Sequence, residues 1–295
     1  MTHLQNPRTK FEYNDFPEQD QNGPALQTEM TPVPDTGEET YTGHGRMKGL
    51  KTLITGGDSG IGRAAAIAYA KEGADVAIQY LPGEEKDAKE VEDFINNLGQ
   101  KAVTLQADFR NDGEAAKVVE DAVEALGGLD VLVLNSAEQF AQEKLEDLSI
   151  EQVKNTFQVN VISMFEAIKQ AEKHLKPGAS IILTTSVESF NPSKQLLDYA
   201  ATKGAISNLV VNFAQYFSEK GIRVNGVAPG PIWTPLQLDG GQLEGKIPTF
   251  GQGSQLGRAG QPVELSSVYV LLGSEESSYT TGQIYGITGG YNITL

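Results

Sequence analysis

The sequence predicts an α/β fold in which helices cover both faces of a parallel, seven-stranded sheet. Short apolar, β-branched runs alternate along the chain with longer segments of helical pattern, as in successive βαβ units. The first of these runs, residues 52–55, leads into a glycine-rich turn, and the alanine-rich stretch 64–70 follows as a helix. A strand, a glycine turn and a helix in this order form the dinucleotide-binding end of a doubly wound, Rossmann-type sheet.

The other elements follow in the same alternating order. Further strands are predicted at residues 74–80, 101–108, 130–137, 179–186, 222–230 and 283–290. Helices are predicted at residues 84–98, 112–126, 149–174, from 198 to about 216, and 262–272. Residues 233–260 are rich in glycine and glutamine and have little periodicity, which fits either a substrate-covering lid or an ordinary long loop.

Residues 1–45 differ in composition from residues 46–295, which form the predicted single dinucleotide-binding and catalytic domain. This N-terminal arm contains five prolines, eight acids and two basic residues, without helical or strand periodicity. A disordered tail is one interpretation. Recurring apolar side chains favour an extended arm that packs on its own domain or on a neighbouring subunit; they are Phe11, Tyr13, Phe16, Leu26, Met30, Val33 and Tyr41.

The composition excludes several classes of function. The chain has no cysteine, and its three histidines lie far apart without a metal-binding or Ser-His-Asp pattern. The net charge of -16 argues against a nucleic-acid partner, because phosphate contacts need a basic face. No apolar run approaches the length of a membrane span and no signal peptide opens the chain, so we expect a cytoplasmic protein. From the cysteine and histidine content we expect no metal site.

The spacing of the glycines carries more information than their number. Gly56, Gly60 and Gly62 give the pattern Thr-Gly-x-x-x-Gly-x-Gly. A glycine-rich turn without a ligand has the same composition, so the pattern alone does not decide between the two. The spacing resembles the cofactor loop of the short-chain dehydrogenase/reductase family, in its compact single-domain branch. This resemblance implies cofactor contacts from Gly56, Asp58, Ser59, Gly60, Ile61, Gly62 and Arg63.

The end of the second predicted strand bears on the choice of cofactor. Many dinucleotide folds carry an acid there, which binds the adenosine ribose and favours NAD. Here Tyr80 and Leu81 occupy that place, and Arg63 could bind a 2′-phosphate, whereas the displaced Glu84 could bind a bare ribose. We therefore predict NADP or NAD as the cofactor, with a modest preference for NADP.

Three further segments resemble family motifs that contact the cofactor. Asp108, followed by Phe109, ends a predicted strand where the family places an aspartate near the adenine, although a turn or helix-capping role would also explain it. The family's Asn-Asn-Ala-Gly segment is replaced at three of four positions, and the contacts implied there are Asn135, Ser136 and Ala137. The segment that holds the nicotinamide carboxamide is matched by Pro229, Gly230, Ile232 and Thr234.

Tyr199 and Lys203 lie four residues apart, and therefore on one face of a predicted helix. Tyr216 and Lys220 repeat this spacing, so the spacing alone identifies neither pair. Ser186 ends a predicted strand 13 residues before Tyr199, at the edge where open α/β sheets bind their ligands. This context favours Tyr199 as the functional tyrosine.

The family resemblance implies a role for each of these residues. Tyr199 exchanges a proton with the substrate oxygen as a general acid/base, and Lys203 lowers its pKa and binds the nicotinamide ribose. Ser186 bonds the same substrate oxygen. Asn160, inside an apolar helical segment, holds a water on the proton path, although a structural partner would also satisfy its side chain.

The resemblance spans roughly residues 49–290, with the motifs in the family's order. It implies an NAD(P)-dependent oxidoreductase that transfers a hydride between a nicotinamide cofactor and a small-molecule carbonyl or alcohol. The proline-rich arm is similar to that of a bacterial subgroup of general-stress oxidoreductases, which implies an aldehyde or ketone reductase and a homotetramer. The alternative is a catalytically silent, cofactor-sensing regulatory protein on the same fold.

Overall fold

The computed structural model describes residues 4–11, 15–21 and 23–294. Tyr13, one of the side chains expected to anchor the N-terminal arm, lies outside the described residues, as does His3. Within those residues, no helix has the length and apolar character that crossing a membrane requires.

A parallel sheet of seven strands runs through the described part of the chain, as predicted. The strands are β1 (Lys51–Thr55), β2 (Asp75–Tyr80), β3 (Ala102–Gln106), β4 (Val131–Leu134), β5 (Ser180–Thr184), β6 (Arg223–Pro229) and β7 (Ile284–Ile287). Their order across the sheet is β3-β2-β1-β4-β5-β6-β7. The chain moves outward from β1 to β3 and then begins again at β4, beside β1. Such a reversal leaves a crevice at the carboxyl ends of the central strands, where doubly wound sheets bind ligands.

Helices cover both faces of this sheet. They are α1 (Gly60–Lys71), α2 (Glu85–Asn97), α3 (Glu114–Leu126), α4 (Ile150–Phe157), α5 (Ser163–Ala171), α6 (Leu197–Ser218) and α7 (Val263–Gly273). One face buries the apolar sides of α3, α5 and α6, with Val118 and Val210 in its core. The other face buries those of α1, α2 and α7, with Val91 and Leu265 in its core. The α/β fold class is therefore confirmed.

The helix predicted over residues 149–174 is divided, which corrects the prediction. After α4 ends at Phe157, a π-helical turn occupies Gln158–Ile162, and α5 begins at Ser163. Asn160 lies at the centre of the π-helical turn and is fully buried. Turns of this kind inside α-helices are frequently found at functional sites.

The N-terminal arm packs on the domain of its own chain. Phe16 is buried, and its ring stacks on Trp233 with 3.8 Å between the ring centroids. The indole N–H of Trp233 donates a hydrogen bond to the carbonyl oxygen of Pro32 at 2.9 Å. We call residues 233–260 the lid. The arm–lid cluster then consists of Phe16, Ala25, Met30, Trp233, Leu238, Ile247 and Ala259.

Polar contacts also join the arm to the glycine turn and to α2. The backbone N–H groups of Gln27 and Thr28 donate to the carboxylate of Asp87 at 2.5 and 3.3 Å. The side-chain oxygen of Gln27 accepts a hydrogen bond from the N–H of Gly60 at 2.7 Å. Because Gly60 begins α1, the arm satisfies one of the N–H groups that the start of a helix leaves unpaired.

Candidate active site

A cavity of about 470 Å³ opens at the carboxyl ends of the central strands. Its walls come from the glycine turn after β1, the segments after β3, β4, β5 and β6, and the lid. Ala25 of the N-terminal arm also lines it. The cavity therefore lies in the crevice that the sheet topology creates.

Ser186, Tyr199 and Lys203 all line this cavity. The Ser186 side chain interacts with the Tyr199 phenol and lowers its pKa. The Lys203 ammonium group lies 5.3 Å from the centre of the Tyr199 ring and donates a hydrogen bond to the carbonyl oxygen of Thr184 at 2.9 Å. Two consecutive turns of α6 carry the tyrosine and the lysine, and the loop after β5 carries the serine. The structure thus brings together the three residues that the sequence pattern singled out.

The pKa of Tyr199 differs from the prediction that Lys203 lowers it. Burial raises the pKa of the Tyr199 phenol, although its hydrogen bond with Ser186 opposes the rise. Burial also lowers the pKa of Lys203 to about 7. We expected Lys203 to lower the pKa of Tyr199, but in an apolar environment burial favours the neutral form of both groups. Tyr199 is therefore a protonated phenol at neutral pH, which is the form that donates a proton.

The second tyrosine–lysine pair lies on the surface. Tyr216 is 56% exposed, and its hydroxyl donates a hydrogen bond to Glu172 at 2.8 Å. Lys220 forms an ion pair with the same carboxylate. Neither Tyr216 nor Lys220 lines the cavity, so the structure separates the two pairs as the sequence context suggested.

Asn160 does not line the cavity, and protein groups satisfy its side chain. Its side-chain oxygen accepts from the backbone N–H of Glu138 at 2.7 Å. Its side-chain nitrogen donates to the carbonyl oxygen of Glu138 and to the hydroxyl of Thr202, both at 3.0 Å. The side chain therefore has the structural partners that we weighed as the alternative to a bound water. It ties the segment after β4 to α6, which carries Tyr199.

The glycine turn has the geometry that a dinucleotide needs. Gly56 and Gly60 have φ angles of 60° and 51°, in the left-handed region that favours glycine. A Cβ atom on Gly62 would lie 1.8 Å from the carbonyl oxygen of Gly56, so Gly62 allows the close contact between β1 and α1. The predicted cofactor contacts of this turn that line the cavity are Gly56, Asp58, Ser59, Gly60 and Ile61. Gly62 lies behind them.

Arg63 and Tyr80, two of the predicted cofactor contacts, do not line the cavity. The guanidinium group of Arg63 forms ion pairs with Glu38 at 2.9 Å and with Glu90 at 3.3 Å. Glu38 belongs to the arm, so the arm pairs with this guanidinium group. The Nη1 atom of Arg63 is buried and has no hydrogen-bond partner among the described residues, and its contact with a 2′-phosphate stays a prediction. Leu81, at the end of β2, does line the cavity.

Two carboxyl groups face the cavity near the same strand end. Asp58 is 2% exposed, and its Oδ2 atom has no hydrogen-bond partner among the described residues. Glu84 accepts a hydrogen bond from the N–H of Leu81 at 2.8 Å. Burial raises the pKa of Asp58 to about 7, and the charge of Asp87 raises it further. Burial also raises the pKa of Glu84 to about 9, and the charge of Asp58 adds to that rise. The unpaired oxygen of Asp58 is able to accept a hydrogen bond from a ligand hydroxyl group.

The other predicted cofactor contacts all line the cavity. They come from the ends of β3, β4 and β6, and they are Asp108, Phe109, Asn135, Ser136, Ala137, Pro229, Gly230, Ile232 and Thr234. Trp233, at the start of the lid, is buried beneath the arm and does not line the cavity. Gln139 does line the cavity, whereas Phe190 does not.

Sequence reasoning missed several residues of the cavity. Ala25 reaches it from the arm, and no local pattern marks that residue. Arg110 also lines it and pairs with Glu138 at 2.8 Å. Glu188 lines the cavity two residues after Ser186, and its position beside a predicted catalytic serine was a signal that could have identified it. Across the part of the chain that the structure describes, no three acidic or histidine side chains are grouped to hold a metal ion.

Comparison with known proteins places the chain in a family. A family model described as enoyl-(acyl carrier protein) reductase matches residues 56–292. The chain is 56% identical over 292 residues to the uncharacterized oxidoreductase YhxD of Bacillus subtilis (strain 168), covering 98% of each chain. It is 41% identical to NADPH-dependent aldehyde reductase 1, chloroplastic, of Arabidopsis thaliana, covering 90% of this chain and 94% of the relative.

A solved structure supports the same family assignment. A short chain dehydrogenase from Burkholderia cenocepacia J2315, in complex with NADP, is similar with a TM-score of 0.78 and 30% sequence identity. The similarity covers 84% of this chain and 99% of that one. The chain belongs to the short-chain dehydrogenase/reductase family. It is an NAD(P)-dependent oxidoreductase, so the predictions of family and of enzyme class are confirmed.

Proposed function

We propose that this oxidoreductase reduces an aldehyde or ketone to an alcohol and uses Tyr199 as the proton donor. The observation that carries the proposal is the convergence of Ser186, Tyr199 and Lys203 on the cavity that the glycine turn also lines. The 41% identity with a plant NADPH-dependent aldehyde reductase supports the choice of carbonyl reduction.

The residues of the cavity fit a nicotinamide dinucleotide. The glycines allow a pyrophosphate to approach the backbone at the start of α1, where helix N–H groups favour negative charge. Asp58 offers a buried oxygen without a hydrogen-bond partner among the described residues, as expected where ribose hydroxyl groups bind. We propose that the predicted contacts at the ends of β3, β4 and β6 hold the adenine and nicotinamide parts.

The dinucleotide supplies the hydride when it is bound. The Tyr199 phenol donates its proton to the carbonyl oxygen, and the Ser186 hydroxyl fixes that oxygen by a hydrogen bond. A phenolate then remains on Tyr199. Lys203, whose pKa of about 7 leaves part of it protonated at neutral pH, lies 5.3 Å from the ring centre, and its protonated form stabilises that charge. Asn160 acts from behind the cavity by holding the segment after β4 against α6.

We propose that NADP and NAD are both accepted, with a modest preference for NADP. The NADP complex of the Burkholderia relative and the printed name of the plant relative support NADP. Because burial raises the pKa of Glu84, its carboxyl group carries less negative charge near neutral pH than an exposed glutamate. A neutral carboxyl group tolerates a 2′-phosphate, whereas an ionised one repels it.

We also propose that the enzyme is a cytoplasmic homotetramer. Several apolar side chains on the outer surfaces of the π-helical turn, α5 and α6 support association; they are Ile162, Phe165 and Val211, exposed by 45, 40 and 44%. Large exposed apolar side chains in one region are typical of contact surfaces between subunits.

Steady-state turnover of a carbonyl panel tests the proposed reaction. Purified protein is mixed with NADPH or NADH and a set of aldehydes and ketones, and the reduced cofactor is followed by its absorbance. We expect consumption of the reduced cofactor with at least one aldehyde, together with the matching alcohol in equal amount. Tight cofactor binding without turnover of any carbonyl or alcohol would contradict the proposal and favour the cofactor-sensing alternative.

A further inference from the structure

Glu188 is a cavity carboxylate that the proposed reaction does not use. It lies in the single 3₁₀ turn Val187–Ser189 that follows Ser186. The Ser186 hydroxyl oxygen accepts the backbone N–H of Glu188 at 3.1 Å, so the position of one residue fixes that of the other. Ser186, Glu188 and Tyr199 line the same cavity. The charge of Glu188 also raises the pKa of Tyr199, which indicates that the carboxylate lies near that phenol.

One oxygen of this carboxylate is engaged, and the other is available. The Oε2 atom accepts a hydrogen bond from the backbone N–H of Ser193 at 2.6 Å. The Ser193 side chain also interacts with this carboxylate and, like the N–H group, lowers its pKa against the rise that burial causes. The Oε1 atom is not sealed away from the cavity. No cation of the described chain forms an ion pair with Glu188, unlike Glu138, which is paired with Arg110 in the same cavity. Glu188 thus offers a fixed hydrogen-bond acceptor to whatever enters beside Tyr199.

Resting on the proposed carbonyl reduction, we propose that Glu188 selects substrates that carry a hydroxyl group next to the reacting carbonyl. The hydroxyl of such a hydroxyaldehyde or hydroxyketone donates a hydrogen bond to the free carboxylate oxygen while Ser186 and Tyr199 bind the carbonyl oxygen. Glu188 also disfavours oxo acids, because their carboxylate would face a second negative charge at short range.

The expected discrimination follows from the chemistry of a half-buried acceptor. A site built to accept a hydrogen bond rejects an analogue without the donor, since the acceptor then stays unpaired. Hydrogen bonds to charged groups are worth about 1.5–3 kcal/mol, which corresponds to roughly 10- to 100-fold in kcat/KM. Because Glu188 keeps some contact with solvent, we expect an effect near the lower end of that range.

Three two-carbon aldehydes test the inference. Glycolaldehyde carries the hydroxyl, acetaldehyde lacks it, and glyoxylate replaces it with a carboxylate. We measure kcat/KM for each with wild-type enzyme and with Glu188→Gln, whose amide oxygen still accepts the Ser193 N–H. The glycolaldehyde-to-acetaldehyde ratio should fall by about tenfold in the variant, as charge-assisted hydrogen bonds are the stronger ones, and the glyoxylate-to-acetaldehyde ratio should rise. Comparing ratios between enzymes cancels the different hydration of the three aldehydes in water.

Glu138→Gln is the matched control, because Glu138 lines the same cavity but is paired with Arg110. It should leave the glycolaldehyde-to-acetaldehyde ratio unchanged. Glu188→Ala provides a second variant, and it should shift both ratios in the same direction as Glu188→Gln. Equal ratios in wild type and both Glu188 variants would overturn the inference while leaving carbonyl reduction intact. Glycolaldehyde left untouched by an enzyme that reduces other aldehydes would also overturn it, whereas no turnover of any carbonyl would overturn the proposed function.

Discussion

Replacing Lys203 with methionine should make the protein more stable, and by an amount that depends on pH. Lys203 is 1% exposed, and burial lowers its pKa from 10.5 to about 7. Between those two pH values the unfolded chain binds a proton that the folded chain does not. The stability of the wild type therefore decreases as the pH falls from 10.5 towards 7, and it loses nothing further below that range. Methionine fills a similar volume and carries no titratable group.

The magnitude follows from the width of this window. Each pH unit between the two pKa values changes the free energy of unfolding by about 1.4 kcal/mol. Allowing for half-protonation at the lower pKa, the stability gain of Lys203→Met over wild type should grow by about 2 kcal/mol between pH 9 and pH 7. Below pH 6 the gain should become constant.

Urea unfolding at pH 9, 7 and 6 measures this difference for wild type and variant. Lys220→Met is the matched control, because Lys220 also follows a tyrosine by four residues but is exposed and paired with Glu172. The pKa of Lys220 is raised rather than lowered, so Lys220 stays protonated in the folded and the unfolded chain from pH 6 to pH 9. The stability difference between Lys220→Met and wild type should therefore not change with pH. A Lys203→Met difference that is the same at all three pH values would refute the argument that burial neutralises Lys203.

Three other substitutions test the arm and the choice of cofactor. Phe16→Ala should destabilise the arm–lid cluster by about 3 kcal/mol, the usual cost of removing a buried phenylalanine. Trp233, the single tryptophan of the chain, should report the loss as a change in fluorescence. Unchanged fluorescence would contradict the stacking of the two rings. Arg63→Ala should lower the free energy of unfolding because its ion pair with Glu38 is lost, yet leave the ratio of NADPH to NADH affinities unchanged; a selective loss of NADPH affinity, measured by titration, would restore Arg63 as a phosphate ligand. Glu84→Gln should strengthen NADPH binding relative to NADH binding, and most so at alkaline pH, where the wild-type carboxylate is ionised. If the ratio of NADPH to NADH affinity in the variant stays equal to that of wild type as the pH rises, Glu84 does not face the 2′-phosphate.

The sheet and the reacting groups could be predicted because local sequence determines them. Each strand is a short apolar run, and parallel strands bring their carboxyl ends to one edge of the sheet. The sequence therefore predicts that Ser186 lies near Tyr199. The four-residue spacing of Tyr199 and Lys203 on a helix fixed their common direction. The glycine turn was predictable for a similar reason, since Gly56 and Gly60 occupy backbone angles that other residues rarely adopt.

The parts that could not be predicted depend on contacts between distant segments. Gln27 meets Gly60 only because the arm crosses the start of α1. Glu38 reaches Arg63 in the same way and forms an ion pair with it. The pKa shift of Lys203 reflects burial, which belongs to the tertiary structure rather than to the sequence near the lysine. Sequence spacing can identify candidate site residues such as Arg63, but the packing of the arm determines which of them are already paired with another side chain.

Turnover of Tyr199→Phe and Tyr216→Phe tests the proposed chemistry most directly. Tyr199→Phe removes the transferable proton and keeps the ring, so kcat should fall by about 10²- to 10⁴-fold, the usual contribution of general acid catalysis. Affinity for the reduced cofactor, measured by fluorescence titration, should stay close to that of wild type. Tyr216→Phe removes only a surface hydrogen bond to Glu172 and should keep wild-type turnover. Full activity in Tyr199→Phe, or loss of activity in Tyr216→Phe alone, would contradict the assignment of Tyr199 as the proton donor.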